Sequence, residues 1–431
     1  MARLRKDVTI MGWKLAAYLF ILVLLAGCKS QSMISDPKQV QLLQNDDEKT
    51  VITFWHTYND KETELLEQEL IPAFEREHPN MRVESINFAF NNELKNTLIA
   101  RASSNRGPDV VRLDIAWVPE FSLKGLLIPL NMLPGFQDIQ SRFSPHAMDG
   151  GYYKKNYYSL PLNIYTKTAI FNRELLKQAG FSNPPRTMEE VIEIAHQHRF
   201  SIGLGGLEPW DTIPYIYSLG GAISDKNFNK ASGYLNSQET INAVNQLTSL
   251  YKEGLINLPD QSGDDKNFER VKSGNILMTD EGPWFYSLLD KAELNRAQNL
   301  TIPVPFPHDN GPVSIIGGEN LVIMKGSKQP AAAWTFMKWM TDKKAQLRMA
   351  QTGLMPTNLE AAKAMNIPKD SYLQFYKVAT ENAFLWPKVK NWSTIEKVYC
   401  EYLIKIFAGE LSVKDGLDRA ASEIDKLLVD S

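Results

Sequence analysis

Between Thr50 and Leu113 three short apolar runs alternate with two helical patterns, and no other feature of the chain restricts the fold as much. Val51–Trp55 is a β-prone run, followed by a stretch in which Leu66, Leu70 and Phe74 recur at helical spacing. Pro72 lies inside that pattern and is predicted to kink or split the helix, because its ring removes a backbone donor. Met81–Ile86 reads as the second strand, Asn91–Ser103 as a helix with Leu94, Leu98 and Ile99 on one face, and Asp109–Leu113 as the third strand. Parallel strands need long crossover connections, so this βαβαβ order predicts an α/β fold with a mostly parallel sheet. Beyond it, residues 170–200 and 236–300 read as helix-rich, with strand candidates at Ile276–Met278 and Val313–Ile316. Helices are predicted over Ala331–Ala350, Tyr372–Thr380, Trp392–Phe407 and Ser412–Leu428.

The first residues have a different logic. Arg3, Arg5, Lys6 and Lys14 precede the uncharged run Leu15–Ala26, which ends in Leu25-Ala26-Gly27-Cys28. The run is too short to span a bilayer comfortably and has the layout of a secretory signal. Its end resembles the bacterial lipobox, in which small residues precede a Cys that becomes lipidated. Residues 1–27 are therefore expected to be a signal peptide, Cys28 the lipid anchor and the polar, patternless residues 28–49 a flexible tether. The alternative is an uncleaved membrane anchor. The second cysteine, Cys400, lies in an apolar run and reads as a buried, inert thiol.

A net charge of −3 and a pI of about 6.1 leave no basic stripe for nucleic acid. The chain contains no GxSxG elbow, HExxH helix or phosphate-binding loop, so no catalytic residue and no cofactor are expected. His196 and His198 are two apart on a predicted helix and cannot face one metal, so no metal site is expected either.

Ligands of open α/β sheets sit beyond the carboxyl ends of strands. That rule selects Trp55 and His56 after the first run, Asp114 and Trp117 after the third, Glu281 and Trp284 around Gly282-Pro283, and Gly318, Glu319 and Asn320 after Ile316. Sugar hydroxyls both donate and accept, which suits carboxylates and amides, while sugar C–H faces pack flat on aromatic rings. Asp114 with Trp117, and Glu281 with Trp284, pair those two functions within three residues. The competing readings are structural: a Trp is more often core than binding surface, and Asp114 would also serve as a helix cap.

The segment GPDVVRLDIAWVPEFSLKGLLIPL resembles the first-lobe motif of the family-1, maltose-binding-protein-like extracellular solute-binding proteins. Tyr158–Asn163 with Ile170–Leu175 is similar to their first inter-lobe crossing, Glu281–Trp284 to their second-lobe sugar-stacking turn, and Gly317–Asn320 to their return crossing. The similarity runs from residue 51 to roughly 360 in the same order. It implies a two-lobed fold with hinge crossings, the first lobe taking residues 51–163 and 316–340 and the second 165–314 and 343–431. It also implies a cleft in which Asp114 and Glu319 bond hydroxyls and Trp117 and Trp284 stack. Asn163 and Tyr165 would reach the ligand from the crossing, with Trp210 and Trp386 as further candidates. The implied protein is a monomer on the outer face of the cytoplasmic membrane that delivers a sugar or oligosaccharide to an ABC permease. The rivals are an anchored glycosidase, whose paired carboxylates would come from Asp114, Glu281 and Glu319, and a binder of a non-sugar solute such as a peptide or polyamine.

Overall fold

A computed structural model describes residues 49–259, 266–309 and 313–429. The signal segment, Cys28 and most of the tether lie outside the described residues. The described residues form a small hairpin, Tyr152–Tyr153 with Asn156–Tyr157, and two five-stranded sheets. In chain order the strands of the two sheets are β1 Thr50–His56, β2 Met81–Asn87, β3 Val110–Asp114, β4 Leu160–Tyr165, β5 Thr168–Asn172, β6 Ile202–Gly203, β7 Ile256–Asn257, β8 Met278–Glu281, β9 Thr301–Val304 and β10 Gly317–Ile323. The first sheet has the order β2-β1-β3-β10-β4 and the second β9-β5-β8-β6-β7. In each sheet four strands run one way and one is reversed: β10 is antiparallel to β3 and β4, and β5 is antiparallel to β8 and β9. Each reversed strand is the first that the chain enters after crossing from the other sheet. Residues 166–167 join β4 to β5, and the segment after β9 leads back to β10. This is the mostly parallel α/β architecture that the strand and helix pattern predicts, in the two separate sheets that the family resemblance implies.

Each sheet has its own packing. Along β1, Ile52 and Phe54 point into a core with Leu66, Phe74 and Phe336, whereas Trp55 points to the opposite face, with Leu98, Val111 and Phe121. This is the two-residue period of a strand buried on both sides. The helices used below are α1 Asp60–Leu65, α2 Ile71–Glu77, α3 Asn92–Ser103, α4 Val118–Leu123, α5 Pro209–Ser218, α6 Pro330–Met340, α7 Lys343–Met349 and α8 Trp392–Phe407. Between α1 and α2 a π turn, Leu66–Leu70, absorbs the interruption, and Pro72 stands in the first turn of α2, where its missing N–H costs nothing.

Three expectations differ from the structure. The segment Ala331–Ala350 is two helices, because Asp342 caps α7 by accepting the Ala345 amide at 2.8 Å. The strand near residue 316 begins only at Gly317, so Gly318, Glu319 and Asn320 lie inside a central strand instead of following one. Ala345 and Met349, expected beyond the boundary at 343, pack into the core of the first sheet.

Candidate functional site

The carboxyl ends of β1 and β3, the start of β10, the turn after β8 and one face of α8 enclose a cavity of about 740 Å³. That size lies within the usual range for small-molecule sites. Of the residues selected from sequence, Asp114, Trp117, Tyr165, Trp210, Trp284, Glu319 and Trp386 line it.

At its floor stands Glu319, only 9% exposed. Its Oε2 accepts from Arg112 at 2.7 Å and from Asn163 Nδ2 at 2.6 Å, and its Oε1 accepts from the Tyr165 hydroxyl at 3.1 Å. Arg112 also donates to Thr57 Oγ1 at 2.8 Å and lies over the Tyr58 ring. A register shift between Glu319 and Asn320 and the neighbouring Gly318 shape the strand here. Gly318 has φ +147°, and a Cβ on it would sit 2.3 Å from the Asn163 carbonyl oxygen.

Beside Glu319, across the β3–β10 ladder, is Asp114. One of its oxygens accepts the Ala116 amide at 2.7 Å, so the local turn and the cavity share this carboxyl. Burial, reinforced by the charge of Glu319, pushes its pKa up to about 7. Burial does the same to Glu281, against the pull of Lys167. Unfolded, such groups titrate near 4. In the folded state these two hold protons that the unfolded chain has released, so stability falls as pH rises through the folded values. His56 works the other way, since burial holds it down to about 4, but its contribution is complete above about pH 6.5. The melting temperature of the ligand-free protein is therefore expected to drop between about pH 6.5 and 8, and Asp114→Asn to flatten the drop. A melting temperature that is level or rises across that interval in the wild type rules this reading out.

The rings stand in two groups. Trp117 stacks on Phe90 with centroids 5.0 Å apart. Trp284 meets Tyr165 edge to face at 5.2 Å, and Trp210 stacks on Trp386 at 6.1 Å. Glu281 does not reach the cavity wall; its Oε2 accepts the Trp284 indole N–H at 2.6 Å and so fixes that ring. Gly282 is required beneath it, because a Cβ there would lie 2.2 Å from the indole. Lys167, held by Asp211 at 2.6 Å and Asp280 at 3.0 Å, sits 5.3 Å from the Trp210 ring and supports it from behind.

The structure does not bring Trp55, His56, Asn163, Gly318 or Asn320 to the cavity wall. Trp55 is packed between Phe88 and Arg101. His56 is 1% exposed; its Nδ1 accepts the Tyr58 amide, leaving the Nε2 proton facing Ser85 Oγ at 3.1 Å. Asn163 orients Glu319 from below, and the Asn320 amide donates to Ser159 Oγ at 2.7 Å. Cys400, expected to be buried and inert, is half-buried on the wall itself, its thiol pushed up to about 11 by burial and nearby carboxylates.

Sequence reasoning missed Phe90, Lys95, Glu208 and the inward face of α8, with Ser393, Glu396, Cys400 and Ile404. The strand-end rule applied to β2 finds Phe90. The α8 residues recur at three- and four-residue spacing, a face that the sequence alone does not distinguish from a solvated one. Lys95 of α3 pairs with Glu120 of α4 at 2.7 Å, and Ser393 of α8 donates to the same carboxylate at 2.7 Å, which ties α8 across the cavity mouth.

The profile of a family described as bacterial extracellular solute-binding protein matches residues 69–374. A maltotriose-binding protein of Pyrococcus abyssi is 22% identical over 357 residues, covering 78% of this chain and 73% of its own. The diacetylchitobiose-binding protein DasA of Streptomyces coelicolor is 21% identical over 353 residues, covering 78% and 81%. Among solved structures, the GacH receptor of Streptomyces glaucescens, determined unliganded and with acarbose, superposes with a TM-score of 0.78 at 26% identity, over 89% of this chain and 99% of that one. Maltose-bound MalE3 of T. maritima gives 0.74 at 21% identity, over 88% and 100%.

Proposed function

Since the chain belongs to the bacterial extracellular solute-binding proteins, we propose that it captures a sugar or oligosaccharide outside the cytoplasm and hands it, chemically unchanged, to an ABC importer. One observation carries this reading: a single cavity of ligand size presents the rings of Trp117, Trp210, Trp284 and Trp386 together with the carboxylates of Asp114 and Glu319. Rings supply the flat apolar faces that sugars stack on, and carboxylates accept their hydroxyls. In this reading the two sheets are the cores of two lobes, the crossings at residues 166–167 and before Gly317 are the hinges, and Asp114, Trp117 and Glu319 grip from one lobe what Trp210, Trp284 and Trp386 grip from the other.

Glu319 is held in place by Arg112, Asn163 and Tyr165, with acceptor capacity left on Oε1, which takes a single bond. A thermal-shift screen against mono- and oligosaccharides tests the function: a ligand at about 100 times its dissociation constant should add about 2.7 kcal/mol of stability. Chromatography of the best ligand after incubation should show it intact, and turnover beyond a trace would replace the binding function by an enzymatic one.

Anchoring by a lipid on Cys28 belongs to the same proposal, supported by the Leu25–Cys28 segment that follows the apolar run. No helix among the described residues is long and apolar enough to cross a membrane. Cys28→Ala is expected to leave the membrane fraction on cell fractionation; a variant that stays membrane-bound after normal cleavage contradicts lipidation at this residue.

A further inference from the structure

Five carboxylates face the cavity, from Asp114, Glu208, Glu319, Glu396 and Glu401, against two ammonium groups, Lys95 and Lys397. Most of that charge is matched locally. Glu319 pairs with Arg112, Glu401 with Lys405 at 2.6 Å, and Lys95 with Glu120. Among the described residues Asp114 has only the Ala116 amide, and it lies beside Glu319. Glu208 and Glu396 are the other two without an ion pair among those residues, and they line the cavity with the Trp210 and Trp386 rings.

Glu208 is the N-cap residue of α5, a place where an acidic side chain ordinarily accepts an amide of the first turn, yet its side chain makes no capping bond. Among the described residues no salt bridge reaches Glu208 or Glu396. Lys397 is exposed and follows Glu396 on α8; adjacent positions on a helix do not face each other, so it does not cover its neighbour. Burial and the charge of Glu208 push Glu396 up to about 7 against Lys95 and a hydrogen bond with Trp392, and burial with the charge of Asp211 raises Glu208 against the pull of Lys167. Two carboxylates that repel each other thus share a cavity with the stacked rings of Trp210 and Trp386. A neutral sugar hydrogen-bonds to these groups but leaves them without an ion-pair partner. An ammonium group compensates it, through charge-assisted hydrogen bonds and through the faces of the indoles.

We propose that the ligand is a basic saccharide, an amino sugar whose protonated amine sits between Glu208 and Glu396 beside the Trp210–Trp386 pair. The inference rests on the saccharide reading above and specifies its chemical class.

Calorimetric titration of the full chain tests it with matched probes: glucosamine, galactosamine and the β-1,4 dimer and trimer of glucosamine, each beside its N-acetylated and its hydroxyl counterpart, with spermidine as a non-sugar cation. The expected result is that an amine form binds at least about tenfold more tightly than both neutral counterparts, the advantage shrinking as salt rises. Glu208→Gln/Glu396→Gln should abolish the preference, and a melting transition like that of the wild type shows that the variant is folded. Neutral saccharides that bind as tightly as the amines in the wild type, or an amine preference that survives the double substitution, overturn the charge assignment and leave the saccharide reading standing. Spermidine binding with no saccharide binding overturns the saccharide reading itself.

Discussion

Glu319→Ala is expected to cost about 3–5 kcal/mol of folding stability in a urea titration, because it strands a buried cation. Arg112 is 4% exposed, and Glu319 is its only carboxylate partner among the described residues. Removing the carboxylate leaves the guanidinium with the Thr57 hydroxyl, a long contact to Asn163 at 3.4 Å and the Tyr58 ring. It also frees Asn163 and Tyr165, which aim their polar groups at Glu319. The comparison that isolates the mechanism is the paired change Arg112→Met/Glu319→Leu, which removes both charges together. If the stranded charge dominates, the double variant is more stable than Glu319→Ala alone. A loss below about 1 kcal/mol in the single variant would mean that water enters to solvate Arg112 and that the network is not a structural hub. The same network links fold and site: it pins the first crossing, through Asn163 and Tyr165, to the two central strands of the first sheet, so a loss of stability here should come with a loss of ligand affinity.

The sequence disclosed elements better than orientations. The βαβαβ start was legible because its strands are uninterrupted apolar runs and its helices carry apolar residues at helical spacing. Where β1 ends was not. Read as ending at Trp55, the strand hands Trp55 and His56 to the site; in fact it continues through His56, and its alternation sends Trp55 into the α3–α4 face and His56 beside Phe54 at 5.3 Å between rings. One residue of strand length decides which face a side chain meets. The central strand β10 was hidden for another reason. Gly317-Gly318-Glu319-Asn320 has little strand propensity, and its polar groups are tolerable in a core only because Arg112 and Ser159, 207 and 161 residues away in the chain, satisfy them. Those partners leave no local trace. Trp117, Trp284 and Asp114 nevertheless line the cavity as the strand-end rule expects, and Glu319 lines it from within the start of β10 instead of from beyond a strand.

Trp284→Ala and Trp117→Ala are each expected to weaken saccharide binding about 30- to 150-fold, a loss of roughly 2–3 kcal/mol from stacking and buried area, while the ligand-free protein melts almost as the wild type does. Both rings are half-buried and face the cavity, so truncating either opens a space already continuous with it and leaves little new void. Trp55→Ala provides the opposite case within the same protein. That ring is 7% exposed and packed behind β1, so its truncation should cost about 3–5 kcal/mol of stability and leave affinity nearly intact. The two effects are predicted to separate cleanly because the three tryptophans differ in what lies beyond the ring: cavity in two cases and core in the third. Trp117 and Trp284 also come from elements of different sheets, α4 following β3 and the turn following β8. In the proposed clamp, contacts to both are complete only in a closed form, so either substitution should also reduce any ligand-driven compaction measured by small-angle scattering. If both variants melted far below the wild type yet bound sugar normally, the rings would be packing elements and the clamp would be wrong. Wild-type scattering that showed no compaction on adding sugar would reject closure independently of either substitution.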